Sequence, residues 1–288
     1  MIPLGNPGES AALASAVSKA YVEIFPTSTI VERLAVLPPG SRVAVTCSPA
    51  KGVDETIEFS RTITNLGYKV IPHLAARAVR DRAHLQDLTA QLTELGIDIV
   101  FVPGGDAATP VGAYSTALDL LRDLAELGSP FRRVGIASHP EGHPDASDAA
   151  LFKALQLKQP LAHYLVTQMC FDTQRLAAWL RDIRARGIVL PVWLGIPGVS
   201  DRAALLKTSL RIGVGDSLRF LKRKSAVVGR LMRAKHYTPD ELLGGIAPML
   251  VDPELNVRGF HVFCFNQVEP FETWRLQALA DLVQAESA

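Results

Sequence analysis

The chain has 288 residues, of which 48% are hydrophobic and 20% are charged, and it contains three tryptophans. This length and composition predict a single large α/β domain over residues 1–288 with a substantial core. The formal net charge of +1 excludes a general electrostatic attraction to nucleic acid or to an anionic membrane surface.

The amino terminus lacks a basic segment followed by an apolar block, and no apolar run approaches the roughly twenty residues that span a bilayer. The three cysteines, Cys47, Cys170 and Cys264, have no spacing typical of a metal site or a disulfide framework. We therefore expect a cytoplasmic protein whose thiols are reduced and mostly buried. The sequence leaves open whether identical chains assemble into a homo-oligomer.

Residues 1–9 are expected to be loose, and Ser10 is predicted to cap an extra amino-terminal helix that runs through Ala20. Eight short apolar segments follow, and nearly every one ends on a polar residue or a glycine. They cover residues 21–25, 42–46, 69–73, 97–102, 134–137, 164–167, 189–194 and 260–263. The segments between them have room for a helix and two loops.

Eight such units predict a (β/α)8 TIM barrel whose active site lies at the carboxyl ends of the strands. The alternative fold is an open, doubly wound sheet. That fold ordinarily has a glycine-rich phosphate loop after its first strand, and Pro26 follows the first strand here without one.

Glu23 lies in the first strand among Val22, Ile24 and Phe25. Apolar surroundings raise the pKa of a carboxyl group, which is the condition for a general acid near neutral pH. The alternative is an ordinary glutamate paired with a lysine or arginine. The residue taken alone favours that alternative.

Further polar side chains follow later strands. Asp106 comes after a Pro-Gly-Gly turn, and the small residues that lead from it to Tyr114 allow a planar ligand to approach the backbone. Thr46 can bind a ligand or cap the next helix, and His73 is equally compatible with ligand binding and with the core. The Gln168 amide can offer a donor and an acceptor to a heterocycle.

The segment from His139 to Asp145 has the densest cluster of ionisable groups, including Glu141 and His143. Its two prolines hold it away from helical geometry, so ligand recognition or loop structure is favoured over a metal site. A basic helix is predicted over residues 219–233. It is either a solvated face or a contact for an anionic ligand tail.

Taken together, the motifs resemble those of the methylenetetrahydrofolate reductase family, in order and spacing, across nearly the whole chain. They are V-E-I-F-P (22–26), V-A-V-T (43–46), P-H-L (72–74), G-G-D (104–106), H-P-E-G-H-P (139–144), T-Q-M-C-F-D (167–172), I-P-G-V (196–199) and F-H-V-F-C-F-N (260–266). The resemblance implies a TIM barrel that reduces 5,10-methylenetetrahydrofolate to 5-methyltetrahydrofolate. It also implies bound FAD, and NADH or NADPH as the hydride donor.

The resemblance implies two catalytic residues. Glu23 matches the acid that protonates the folate, and Asp106 matches the carboxylate that supports the cationic intermediate. Gln168, Asp106 and Phe220 match substrate contacts, and no residue matches a metal ligand. The matched cofactor positions are Thr46, His73, Gly105, Asp106, Tyr114, His139, Glu141, His143, Asp148 and Lys158.

Two departures from the family pattern keep other functions open. The family has L-R-G-D where this chain has Gly104-Gly105-Asp106, so an arginine that faces the flavin diphosphate is replaced. The usual D-x-x-N-x-x-R-K is also altered, leaving Asp148, Lys153 or Lys158 as substitutes. The alternatives are direct hydride transfer from NADH without flavin, a tetrahydrofolate-dependent methyl transfer, and a folate- or flavin-binding protein without turnover.

Overall fold

The eight predicted segments form one parallel sheet that curves into a nearly closed barrel. This computed structural model describes residues 2–3, 5–201, 205 and 236–286. The barrel strands are β1 (Tyr21–Ile24), β2 (Arg42–Val45), β3 (Lys69–Pro72), β4 (Ile99–Val102), β5 (Arg133–Ser138), β6 (Tyr164–Thr167), β7 (Val192–Pro197) and β10 (Val257–Phe263). Two short strands, β8 (Ser200–Asp201) and β9 (His236–Tyr237), form a separate antiparallel pair.

The strand order is β3-β2-β1-β10-β7-β6-β5-β4, and every pair within this sheet is parallel. The ends of the sheet meet where His73, just after β3, bridges Phe101 of β4. The Leu74 amide donates to the Phe101 carbonyl at 2.8 Å across the same seam. The predicted (β/α)8 barrel is therefore confirmed.

Helices alternate with the strands and cover the outside of the barrel. They are α1 (Pro7–Ser18), α2 (Ile30–Leu34), α3 (Gly52–Asn65), α4 (Arg82–Glu94), α5 (Ala117–Glu126), α6 (Asp148–Lys158), α7 (Thr173–Ala185), α8 (Asp240–Val251) and α9 (Val268–Glu286). Single 3-10 turns occupy Ala76–Ala78 and Gln159–Leu161. No helix within the described residues is long and apolar enough to cross a membrane.

Side chains along each strand alternate between the helices and the barrel interior, as the pleat of a strand requires. Val22, Val43 and Val100 belong to the main core shared with the helices. Tyr21, Trp193 and their neighbours form a second cluster inside the barrel: Ala44, Ile71, Phe101, Tyr164 and Val166. The interior is thus filled by side chains, and polar residues near the carboxyl ends of the strands lie above this apolar floor.

The first helix begins earlier than predicted. Asn6 caps α1 by accepting a hydrogen bond from the Glu9 amide at 3.0 Å, and Pro7 occupies the first helical turn, where its missing N–H is tolerated. Ser10 therefore lies inside the helix and is not its cap. Its hydroxyl donates instead to the Leu282 carbonyl of α9 at 3.1 Å, which joins the two helices.

The seventh strand begins later than predicted, at Val192 where residues 189–194 were expected. Val189 is 70% exposed, and Pro191 has no N–H for a strand ladder. The Val192 amide is the first to pair, donating to the Asn256 carbonyl at 3.0 Å. At its other end, the strand extends to Pro197, beyond the predicted end at Leu194, because Ile196 and Pro197 still pair with β10.

Candidate active site

Glu23 is the acidic group inside the barrel near the carboxyl ends of the strands. It lies in register between Ala44 of β2 and Phe263 of β10, and it is buried. Its Oε2 atom lies 2.8 Å from His261 Nε2 and 3.8 Å from His73 Nε2. The carboxyl group therefore shares a hydrogen bond with one histidine and lies beside a second.

His73 is buried against Phe101, with 4.8 Å between the ring centroids. Burial lowers the pKa of His73 to about 4, because the low-dielectric surroundings disfavour the imidazolium more than the Glu23 charge favours it. At neutral pH the ring is uncharged, so the 3.8 Å approach to Glu23 is not an ion pair. It is also too long for a hydrogen bond.

Two buried polar atoms near the carboxyl ends have no protein partner among the residues described: His73 Nε2 and Thr46 Oγ1. Thr46 follows β2 directly, and its amide donates to the Ile24 carbonyl at 3.0 Å. A buried polar atom without a partner destabilises the fold by roughly 1–3 kcal/mol unless water or a ligand supplies a hydrogen bond. These two atoms are therefore suited to contact a polar ligand.

Glu23, His73 and His261 each offer one metal-ligand atom, and the three atoms lie within 4.8 Å of one another. Two ligands of a tetrahedral zinc ion lie about 3.3 Å apart, given metal–ligand bonds near 2 Å. The 2.8 Å between His261 Nε2 and Glu23 Oε2 is shorter and has the length of a hydrogen bond. The arrangement is that of a hydrogen-bonded acid with a neutral histidine beside it.

Asp106 lies in the loop that leaves the carboxyl end of β4, and its side chain is exposed. Gly105 precedes it with φ near +93°, and a Cβ at this glycine would lie 3.1 Å from Ala75 Cβ. Only glycine fits both conditions without strain. Burial raises the pKa of the Cys47 thiol, just after β2, and the Asp106 charge adds to the shift.

Arg77 fixes the loop after Asp106 in place. Its guanidinium donates to the carbonyls of Ala107 at 2.7 Å, Ala108 at 2.6 Å and Ser115 at 3.2 Å. The loop also approaches Arg80 closely, because a Cβ at Gly112 would lie 1.8 Å from the Arg80 carbonyl oxygen. The position of Asp106 therefore depends on one arginine and on glycines at two positions.

The loop between β5 and α6 brings His139 and His143 together, with 5.2 Å between their ring centroids. Lys158, at the end of α6, places its Nζ 3.4 Å from the Ala137 carbonyl. Burial lowers the pKa of Lys158 to about 8 and the pKa of His139 to about 4, and the His143 and Lys158 charges add to the His139 shift. Lys158 has no carboxylate partner among the residues described, so it can pair with an anionic group of a ligand.

The other residues predicted to contact a ligand differ in their burial and in their observed partners. Burial raises the pKa of the Cys170 thiol after β6, and the nearby Glu141 carboxylate adds to the shift. Asp148 is exposed at the start of α6. Gln168 is half-buried at the exit of β6, where its Oε1 accepts from the Met169 amide at 3.0 Å. Tyr114 is buried behind the β4–α5 loop, and its hydroxyl donates to Asp123 of α5 at 2.7 Å. Its observed contacts are therefore structural.

Phe220 and the predicted basic helix over residues 219–233 lie outside the described residues. Neither the substrate contact predicted for Phe220 nor the two interpretations of the basic helix is addressed by the structure.

A family model described as methylenetetrahydrofolate reductase matches residues 27–212, which is more than half of the chain. The chain belongs to the methylenetetrahydrofolate reductase family. Similar curated proteins are methylenetetrahydrofolate reductase 1 of Schizosaccharomyces pombe, 40% identical over 103 residues, and methylenetetrahydrofolate reductase 2 of Saccharomyces cerevisiae, 30% identical over 104 residues. The alignments cover 35% and 34% of this chain, and 17% of each yeast protein.

The methylenetetrahydrofolate reductase match includes Thr46, His73, Asp106 and Gln168, but Glu23 and His261 lie outside it. These two residues join the site through the geometry of the barrel, because β1 and β10 are neighbours in the sheet.

His261 is a residue of the candidate site that the sequence-based prediction did not name, although it lies within the F-H-V-F-C-F-N motif. A single histidine between Phe260 and Val262 has the appearance of a core residue. The alternation of side chains along the strand could have identified it. Phe260 and Val262 belong to the outer core, so His261 between them must face the barrel interior.

Proposed function

We propose that this chain reduces 5,10-methylenetetrahydrofolate to 5-methyltetrahydrofolate, with NADH or NADPH as the source of hydride. The observation that carries the proposal is the buried carboxyl of Glu23, held 2.8 Å from His261 Nε2 at the carboxyl ends of the barrel strands of a family member. A proton donor in an apolar, shielded position is what opening of the folate methylene bridge requires.

Glu23 acts as the general acid that protonates the bridging nitrogen, so that the bridge opens to an iminium cation. The hydrogen bond to His261 holds the carboxyl in one rotamer, and the tautomer of His261 determines which of the two atoms carries the shared proton. His73 remains neutral and therefore adds no positive charge beside the developing cation.

Asp106 stabilises the cation electrostatically. Its side chain is exposed, so its charge is screened by water until the substrate covers the mouth of the barrel. Once water is excluded, a fixed carboxylate beside the iminium is worth far more than in bulk solvent. Gln168, at the exit of β6, is the residue proposed to hydrogen-bond the edge of the pterin.

FAD is the proposed cofactor. When bound, it would supply a relay for hydride between NAD(P)H and the folate. Thr46 Oγ1 and His73 Nε2 lack protein partners within the described chain and can contact polar ring atoms, while Lys158 can pair with a phosphate. Gly105 allows close approach of the ligand, and His139, Glu141, His143 and Asp148 complete the proposed set around the β5–α6 loop.

Direct hydride transfer from NADH is a second candidate, favoured by one specific difference from the family's sequence pattern. Gly104 stands where the family has an arginine that faces the flavin diphosphate, so this position lacks its usual cation. The visible spectrum of the purified protein separates the two routes. Flavin absorption bands that persist through purification support FAD, whereas turnover by colourless protein without added FAD supports the direct route.

The deciding experiment measures NADH oxidation in the presence of 5,10-methylenetetrahydrofolate for the wild type and for Glu23→Gln. We expect the substitution to lower kcat by about 10²–10⁴-fold, the usual contribution of a general acid, while leaving the fold intact. Glu32→Gln makes the same chemical change at an exposed position of α2 and serves as the matched control.

Three results would contradict the proposal. Wild-type turnover by a folded Glu23→Gln variant would remove the general acid from the mechanism. Formation of 5-methyltetrahydrofolate from tetrahydrofolate and a methyl donor, without oxidation of NADH or NADPH, would indicate methyl transfer. Folate binding without any product would indicate a binding protein.

A further inference from the structure

The amino ends of the barrel strands surround a pocket of about 360 Å³. Tyr21, Arg42 and Arg133 are the first residues of β1, β2 and β5, so the pocket lies at the opposite end of the barrel from the Asp106 and His139 loops. Its charged lining consists of four cations, Lys19, Arg42, Arg133 and Arg258, without an acidic residue. We refer to it as the amino-face pocket.

Aromatic rings rather than carboxylates hold two of the three arginines of the amino-face pocket. The Arg133 guanidinium lies 4.7 Å from the Trp193 ring centroid and 5.2 Å from that of Tyr164. Arg42 lies 5.3 Å from the centroid of Tyr21. Cation–π contacts fix the plane of a guanidinium but leave its N–H groups available as donors.

These donors are largely unused among the residues that the structure describes. The Arg133 guanidinium has no hydrogen-bond acceptor among the described residues. Within the described ranges, the Arg42 guanidinium donates only to the Lys19 carbonyl at 2.9 Å, and the Arg258 guanidinium only to Asn256 Oδ1 at 2.8 Å. In the described part of the chain, none of the four cations forms an ion pair. The neighbouring Arg132 differs, because it is paired with Asp98 at 2.6 Å.

Four like charges that face one cavity repel one another, and this repulsion is relieved when an anion enters. The chain as a whole has a formal charge of only +1, so the pocket is a local concentration of positive charge on an otherwise acidic background. Arginine forks match the geometry of phosphate oxygens, and charge-assisted hydrogen bonds of this kind are strong. The volume is at the lower end of small-molecule sites.

We propose that the amino-face pocket binds a phosphate group, either as inorganic phosphate or as part of a small phosphorylated metabolite. The concave shape and the small number of cations suit a compact dianion better than a long polyanion, which would need an extended basic surface. This site is independent of the proposed folate chemistry, because it shares no residue with the candidate active site.

Isothermal titration of the full chain with inorganic phosphate, at constant ionic strength maintained with chloride, tests the proposal. We expect saturable binding that weakens by about tenfold in Arg133→Gln and in Arg258→Gln, because each variant loses a charge-assisted contact. Arg132→Gln is the matched control and should change the affinity by less than about twofold, since that arginine is exposed and already paired. Arg258 is exposed, so its variant remains informative if the loss of aromatic contacts unfolds Arg133→Gln.

A parallel titration with AMP identifies the source of the phosphate. Tighter binding of AMP than of inorganic phosphate supports a phosphorylated metabolite, and equal or weaker binding supports free phosphate. The proposal is overturned if phosphate shows no saturable binding, if Arg132→Gln weakens binding as much as Arg258→Gln, or if heparin binds and phosphate does not.

Discussion

Glu23 illustrates how the surroundings of one residue select between two ordinary roles. The sequence left open a glutamate paired with a lysine or arginine, yet the hydrogen-bond partner of its carboxyl group is His261, and His73 lies 3.8 Å away. A permanent cation beside Glu23 would favour the carboxylate and weaken it as a proton donor. The neighbours in the barrel can instead be neutral, which is compatible with general acid chemistry.

The buried neutral state of His73 predicts an acid-labile fold. Its pKa is about 4 in the folded chain and near 6.5 when exposed, so between these values the unfolded chain binds a proton that the folded chain does not. The free energy of unfolding should therefore fall as the pH is lowered from 6.5 to 4. The slope for one histidine approaches about 1.4 kcal/mol per pH unit. Urea denaturation at several pH values measures this slope.

The variant His73→Gln should make this pH dependence shallower by the contribution of one histidine, because glutamine does not titrate. The contribution of His139, whose pKa burial also lowers to about 4, should remain. The absolute stability of the variant will also change through the lost contact with Phe101, so the slope rather than the midpoint is the relevant measurement. His236→Gln, at an exposed position of β9, is the control and should retain the wild-type slope. An unchanged slope in His73→Gln would show that other groups carry the pH dependence.

The candidate site was predictable where a polar or ionisable side chain lies at the end of a predicted strand. Glu23, Thr46 and His73 each lie within one residue of a strand end, and the topology of a parallel barrel brings such positions together. His261 was missed because its position in an apolar strand gives no sign of its partner, which lies 238 residues away. Tyr114 was assigned by motif alone, and its contact with Asp123 depends on the packing of α5, which the motif does not encode.

At the level of elements, the effect of a glycine substitution in the β4–α5 loop should depend on which glycine is replaced. A Cβ at Gly112 would overlap the Arg80 carbonyl at 1.8 Å, whereas a Cβ at Gly104 would meet nothing within 4 Å. We expect Gly112→Ala to displace the loop and to destabilise the fold by about 1–3 kcal/mol, as overpacking against fixed backbone does. Gly104→Ala should stay within about 0.5 kcal/mol of wild type.

Thermal unfolding and hydrogen exchange of residues 107–113 measure the two glycine variants. Faster exchange of this segment in Gly112→Ala, together with wild-type exchange in Gly104→Ala, is the expected pattern. Equal behaviour of the two variants would mean that the loop tolerates displacement from Arg80, and that the position of Asp106 does not depend on this approach.

Element boundaries were less predictable than element types, for reasons visible at two positions. Residues 189–194 form a continuous apolar run, but Pro191 has no N–H to donate to the sheet, so hydrophobicity alone placed the start of β7 too early. Ser10 has the chemistry of a cap, but Asn6 precedes a proline and has the same chemistry. Where two caps compete, tertiary contacts such as that of Ser10 with Leu282 decide between them.

For the whole molecule, the repeated pattern of eight strands was sufficient to predict a barrel, but it did not predict how the barrel closes. Six residue pairs join β7 to β10, whereas a single bridge between His73 and Phe101 joins the β3 and β4 edges. Closure adds two further bonds beyond the strand ends, from the amides of Ala76 and Arg77 to the carbonyls of Pro103 and Gly104. The seam is therefore concentrated at the end of the barrel that carries the candidate site.

This uneven closure predicts that the barrel opens first between β3 and β4. Local opening requires the loss of few contacts there, whereas separation of β7 from β10 breaks a full ladder. Native-state hydrogen exchange should show the Leu74 amide exchanging at least about tenfold faster than the Val192 amide, a difference of about 1.4 kcal/mol in opening free energy. Equal protection at the two seams would contradict the prediction and would mean that the barrel unfolds only as one unit. Because the weak seam lies beside His73 and the Asp106 loop, a ligand that bridges them should slow exchange at Leu74 more than at Val192.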